Sequence, residues 1–446
     1  MVSWTAEQIL ALSPDASSTK NGKGLASLQK WSGLGRAEDI IWGECKGSGK
    51  DPYRTQIDCQ EPAFRCSCPS RKFPCKHALG LFLLLASQAS AFAETDPPPW
   101  VAEWIQARSQ QAVKKAEKQQ KAATVDPAAQ AKRVEKREAK IRAGLEDLTL
   151  WMHDLIRQGL GSVQSQPYAF WDGPAARLVD AQAPGLARRL KELAGIAHSG
   201  TGWTERLLAE LGQLYLLVVG YQRLEAHPAP LQADLRTLVG WTQNQEELLA
   251  IAAEPDSGAE SCQDVWQVLG KQVEEEERQM KVQRVWLWGQ TSDRPVLVLS
   301  FAHGNSPLDT SLVPGSQIEA EVVFYPSNYP LRGVIKARQG ELQALTAMAG
   351  HTSIADAIAH YGQAIARNPW LEQFPLRLEQ VIPFQDDGTW WLRDAGGTVA
   401  QLSPRFIRPW HLLAFSGGHP VAVFGEWNGS VLMPLSTWAH GQFWQC

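Results

Sequence analysis

The chain has 446 residues, 44% apolar and 20% charged, enough for two or three units of ~150 residues and too apolar for wholesale disorder. Lysine and arginine total 43 against 47 acids, a net charge of −4, which excludes a polycation that coats nucleic acid through its overall charge. Seven cysteines, Cys45, Cys59, Cys66, Cys68, Cys75, Cys262 and Cys446, are too few and odd in number for a disulfide framework, and five of them cluster between Cys45 and Cys75.

The stretch MVSWTAEQILALSPDASS has neither a basic segment nor a long apolar core, so no secretory signal is expected there. The longest apolar run, Ala78 to Ala86, falls far short of the ~20 residues of a membrane span, and a cytoplasmic protein is expected. The pattern along the chain is that of a multidomain α+β protein. It comprises a small α+β module over 1–95 that holds the cysteine cluster, a basic, partly helical linker over 96–143, a helical domain over 144–281 and a β-rich domain with one inserted helix over 282–446.

In the first module, Asp39 to Glu44, Tyr53 to Asp58 and Phe64 to Cys68 read as strands, with the turn-rich KGSGKDP between the first two. From Lys76 the pattern becomes helical and mostly apolar, and DPPP at 96–99 ends the unit. Residues 107–143 hold eleven Lys/Arg against four acids with almost no apolar stripe, the composition of a solvated linker.

From Leu145 to about Arg278 the period is helical. Leu145, Leu148, Met152, Leu155 and Ile156 share a face, as do Leu186, Leu190 and Leu193, then Leu207, Leu211, Leu214, Tyr215 and Val218; Leu235, Leu238, Leu248 and Leu249 indicate further helices of a four- to six-helix bundle. Glu274 to Glu277 reads as a solvated acidic face. After Met280 the period is that of strands, with Asp387–Gly388 and Asn428–Gly429 as hairpin turns and a small barrel as the architecture. Ser353 to Arg367 reads as a capped helix with Ile354, Ile358, Tyr361 and Ile365 inward.

Chemistry concentrates in Cys66-Ser-Cys68-Pro-Ser-Arg-Lys-Phe-Pro-Cys75-Lys-His77. Three thiols and an imidazole within twelve residues are the complement of one closed, tetrahedral structural zinc site. Residues i and i+2 of a strand point the same way, so Cys66 and Cys68 can bind together while Cys75 and His77 approach from the next helix. Three thiolates and Zn2+ sum to −1, yet Arg65, Arg71, Lys72 and Lys76 surround the site. With the aromatic Phe73 they form a candidate surface for a partner protein or for nucleic-acid phosphate.

CSCPSRKFPCKH resembles the SWIM zinc finger, C-x-C, spacer, C-x-H, at all four ligand positions. The lead-in WGECKGSGKDPY and the chain length are similar to those of bacterial stand-alone SWIM zinc finger proteins. The resemblance implies binding to DNA or protein, and a partner in an ATPase-linked system, a MoxR-type ATPase or a von Willebrand A-domain protein.

Other patterns carry less. GECKGSGK lacks the Ser or Thr that must follow the P-loop lysine, and a strand follows where a helix is needed. Cys45 and Cys59 read as packed residues or free thiols; Cys262, Cys446 and the histidines from His303 to His440 show no ligand spacing. Trp286 and Trp288 share a strand face and read as core. No catalytic motif is present, so the expected function is a zinc-containing adaptor for a protein partner; the alternatives are a nucleic-acid-binding protein that grips phosphate through the basic zinc knuckle and linker, and an uncatalogued enzyme in the C-terminal half.

Overall fold

In the computed structural model, which describes residues 4–47, 51–60, 62–70, 72–122, 127–254, 257–276, 280–304 and 308–446, two short helices come first. Thr5 and Gln8 close a reciprocal capping box on α1 (Ala6–Ala11), and Asp15 caps α2 (Ala16–Leu25). A sheet follows, formed by β1 (Trp31–Ala37), β2 (Ile40–Cys45), β3 (Tyr53–Asp58) and β4 (Ala63–Cys66). After α3 (Lys76–Ser87), β5 (Ala93–Glu94) completes the order β4-β3-β2-β1-β5. Helix α3 is apolar almost all round because the sheet covers one side and α2 the other, with Leu79, Leu81, Phe82 and Leu84 fully buried. Gly80 permits that approach: a Cβ there would lie 2.6 Å from Leu25 Cβ.

The basic stretch lies in two long helices, α4 (Pro99–Ala122) and α5 (Pro127–Gln158). The boundary expected at 143 falls inside α5, whose buried stripe begins at Ile141 and continues through Leu145, Leu148, Met152 and Leu155. Helices α6 (Ala169–Asp180), α7 (Pro184–Ile196), α8 (Trp203–Gln222) and α9 (Ala229–Val239) pack on it, and α10 (Gln245–Ala253) follows. Ile156 and Tyr215, expected inward, are exposed, because each falls one residue, about 100°, past its stripe.

The helical pattern expected to about Arg278 ends earlier. β6 (Ser261–Glu276) is a long strand whose Trp266 and Val268 are buried on one face, and the acidic run at its end belongs to the ladder, Glu274 pairing with Arg284 at 3.2 Å; Glu277 lies outside the described residues. With β7 (Met280–Gly289), β8 (Pro295–His303), β9 (Ser316–Phe324) and β10 (Gly333–Ala344) it forms a sheet of order β10-β9-β6-β7-β8. A bridge between Leu297 and Arg332 brings its edges together at one end, so the sheet curls around Trp266, Val285, Leu287, Val322 and Phe324.

The C-terminal region holds two helices rather than the one expected, one before the second sheet and one within it. After α11 (Ile354–Arg367) come β11 (Phe374–Asp386), β12 (Thr389–Arg393) and β13 (Val399–Gln401), then α12 (Pro409–Ser416), β14 (Val421–Trp427), β15 (Leu432–Ala439) and β16 (Gln442–Gln445), in the order β13-β12-β11-β14-β15-β16. Both expected hairpins form: Asp387 and Gly388 take φ 42° and 75°, and Asn428 Oδ1 accepts from the amides of Ser430 and Val431. On α11 the buried residues are Ile354, Ala357 and Ala364, while Ile358 is exposed.

β7 joins the two sheets. Its Val285 and Leu287 face the curled interior, and Trp286 and Trp288 pack on the second sheet. Trp286 Nε1 donates to buried Glu426 at 2.7 Å and Arg284 to its other oxygen at 3.0 Å; burial pushes the Glu426 carboxyl up, against the Arg284 charge. Gly270 lets the sheets meet, since a Cβ there would stand 2.7 Å from Phe424 and 2.8 Å from Leu435. The bundle is tied on by Asp234, which accepts from Asn328 N–H at 2.8 Å, and by Trp370, whose indole donates to Gln213 C=O at 3.1 Å. No helix among the described residues is long and apolar enough to cross a membrane.

Two outcomes test this packing. Gly270→Val should lower stability by about 1–3 kcal/mol through overpacking, read from the urea midpoint; an unchanged midpoint would separate the sheets. Burial raises the Asp234 carboxyl although Ser327 and Asn328 bond to it, so its charged form costs stability above the folded pKa and its protonated form does not below it. Asp234→Asn should therefore raise the thermal midpoint at pH 7 and lose that advantage below about pH 4; a lower midpoint at both pH values would contradict it.

Candidate metal centre

The ligands come from the junction of β4 and α3. β3 and β4 pair with Thr55 opposite Cys66, and the ladder runs one residue further, Ser67 N–H donating to Arg54 C=O at 2.9 Å and Arg54 N–H to Ser67 Oγ at 2.9 Å. Ser67 is thereby turned outward, and the sulfurs flanking it face the start of α3. Cys75 is the N-cap of α3, its Sγ accepting from Ala78 N–H at 3.5 Å, and His77 follows in the first turn. The helix N-terminus adds partial positive charge beside the thiols.

The ligand atoms of Cys66, Cys68, Cys75 and His77 all lie within 4.8 Å of one another. His77 presents Nδ1, 3.7 Å from Cys66 Sγ and 4.0 Å from Cys75 Sγ. A tetrahedral ion with ~2.3 Å bonds to sulfur and ~2.0 Å to nitrogen places such donors about 3.5–3.8 Å apart. The spacing and the soft donor set fit Zn2+ in a closed, structural shell. Thr55 Oγ1 donates to Cys66 Sγ at 3.2 Å, and the Tyr53 ring lies 4.7 Å from the His77 ring. Neither residue was singled out from sequence; the strand alternation that pairs Thr55 with Cys66 was the available signal.

The charges agree with a cation. Burial works against charge on His77, but Cys66 and Cys68 outweigh it and push the imidazole up to about 9. Hydrogen bonding from Cys66 and Cys75 pulls the Cys68 thiol down, while Cys66 and Cys68 push the Cys75 thiol up. Three thiols this close ionise together only beside a multivalent cation.

The candidate contact residues divide. Arg65, Lys72, Phe73 and Lys76 are exposed, and Arg71 lies outside the described residues. Lys72 is held by Asp15 of the α2 cap at 2.7 Å, which brings that carboxyl down to about 2. Phe73 is 42% exposed and meets Phe64 edge-on. Cys45 and Cys59 stand apart from the cluster, fully buried, and burial pushes both thiols up. Residues 48–50 of the GECKGSGK segment lie outside the described residues; Gly43 stands in β2, and β3 follows.

A family model of the SWIM zinc finger matches residues 65–86, the end of β4 through α3, and a model of the SWIM-associated four-helix bundle domain matches residues 136–239, from within α5 to the end of α9. No curated protein and no solved structure matches the chain. The chain carries a SWIM zinc finger motif, with Cys66, Cys68, Cys75 and His77 as its metal-binding cluster.

Cys66→Ser and His77→Ala should each reduce bound zinc from about one per chain to near zero by elemental analysis, with hydrogen-exchange protection lost over residues 40–90 and kept in the bundle. Acidification should release the metal too, because protons compete for the thiolates. Full zinc retention in both variants would mean that other residues hold it.

Proposed function

We propose that the protein is a non-enzymatic adaptor whose zinc-held knuckle, Pro69 to Lys76, contacts a partner protein. The observation that carries this reading is Phe73, 42% exposed on a loop whose two ends are fixed by Cys68 and Cys75. An aromatic ring presented on a rigid loop is the kind of anchor on which binding energy concentrates. The family descriptions support a metal-binding interaction role. The resemblance to stand-alone SWIM proteins makes a MoxR-type ATPase or a von Willebrand A-domain protein the first partner to seek.

A nucleic-acid reading keeps one observation in its favour: Arg65 and Lys76 are exposed and have no ion pair among the described residues. Affinity purification from the native host, with and without nuclease, separates the two. Protein partners should survive nuclease and fall at least about threefold with Phe73→Ala. Partners lost on nuclease treatment, with nucleic acid recovered instead, would overturn the adaptor reading.

A further inference from the structure

The curled first sheet leaves a seam. Its edge strands β8 and β10 meet at the Leu297–Arg332 bridge, where Leu297 N–H donates to Leu331 C=O at 2.6 Å, and then separate. Beyond that point a cleft of about 680 Å³ opens between Val298–Ser300 of β8 and Val334–Arg338 of β10. Alternate strand residues send their N–H and C=O to the same edge, so Leu299 and Phe301 follow Leu297 in facing the seam. Among the described residues β8 and β10 form no ladder and no bridge beyond Leu297–Arg332. Edges with unused donors and acceptors are templates for a further strand.

The third wall comes from the zinc module and α4: Phe64 and Phe73 of the former, Trp104 and Arg108 of the latter. The module is seated there by Thr310, whose hydroxyl donates to Pro62 C=O, and by Val313, buried in the module's own core. The metal cluster, through the knuckle that carries Phe73, thus shapes one side of the cleft. The charged lining residues are Arg108, Lys336, Arg338 and Asp309. Arg108 and Lys336 each share one carboxylate, Asp58 at 3.1 Å and Glu321 at 3.0 Å. Arg338 donates to Ser311 Oγ at 2.6 Å and has no ion pair among the described residues.

We propose that this seam is a docking groove for an extended, acidic peptide segment of a partner protein, added as a strand along β8 or β10 with a side chain against Phe73 and a carboxylate at Arg338. The proposal rests on the adaptor reading and deepens it, giving the partner's chemistry and a mode of binding in which ladder bonds supply affinity and alternate side chains supply selection.

The zinc-loaded full chain is panned against a random dodecapeptide display library, and recovered peptides are synthesised with a fluorophore for polarisation titration. Recovered sequences should alternate apolar with acidic residues. Arg338→Glu and Phe73→Ala should each weaken binding at least about tenfold, with zinc content and thermal midpoint unchanged. N-methylation of alternate peptide amides should abolish binding, because it removes the ladder donors. Recovery of no peptides, absence of acidic bias, indifference to both variants and to N-methylation, or displacement of the peptide by an oligothymidylate at equal concentration would each overturn the groove. A nuclease-resistant host partner whose recovery is unchanged by Arg338→Glu would keep the adaptor reading and remove this groove; absence of any such partner would remove the adaptor reading, with the peptide titration standing on its own.

Discussion

Four ligand atoms within 4.8 Å of one another tie the end of β4 to the first turn of α3, and the N-terminal module depends on that tie. Helix α3 is the module's central element, covered by the sheet on one side and by α1 and α2 on the other. A unit this small gains a limited hydrophobic contribution, a few kcal/mol net of chain entropy. A structural zinc site in a peptide contributes ~10 kcal/mol or more, comparable with the whole stability of an ordinary domain. Zinc bound at the cluster would therefore fix the start of α3.

That constraint reaches the rest of the molecule through packing. Val313, from the segment between β8 and β9, is buried in the module core, so an ordered α3 and sheet are what the curled sheet rests against. On the other side the bundle is joined to the β region by contacts of unequal weight. Arg188 and Arg189 reach Glu372 at 2.9 and 2.7 Å; the Arg188 pair is exposed at both ends and contributes ~0–1 kcal/mol. Trp370, buried against the bundle with its indole bonded to Gln213, removes far more apolar surface from water and sets the orientation. Between the sheets, Glu426 is acceptable in the interior only because Arg284 and Trp286 both bond to it.

What was legible in the sequence was what is local. The four ligands lie within twelve residues, so their spacing alone carried the site, and two hairpin turns followed from Asp-Gly and Asn-Gly. The bundle stripes were readable because 3.6-residue periodicity is a short-range signal, though Ile141 shows that a stripe can begin in a segment that looks like linker. Strand β6 was not readable as a strand: Trp266 and Val268 are buried on one face, but Gln267 between them is buried too, so the alternation that marks a half-exposed strand is missing. Helices α1 and α2 escaped because their helix signals are caps at Thr5 and Asp15 rather than apolar stripes. Long-range partners were beyond reach: nothing near Lys72 announces that Asp15 will hold it, nor does Val313 announce a place in another unit's core.

The Lys72–Asp15 pair also bears on what the knuckle can bind. Four cations around a cluster of charge −1 look like a phosphate grip when counted along the sequence. In the folded protein Lys72 pairs with Asp15 of the α2 cap, and Arg65 and Lys76 are exposed without ion pairs among the described residues. Through the knuckle alone, about two phosphates are neutralised, which releases few counterions and gives a shallow salt dependence; a grip of six to ten contacts would have to draw on the basic stretch 107–143. Phe73 keeps 42% of its surface in water beside a cleft lined by strand edges, where the proposed partner would cover it. Cys68 and Cys75 stand at the two ends of the loop that carries this ring, so the residues of the metal-binding cluster also shape the surface the module presents.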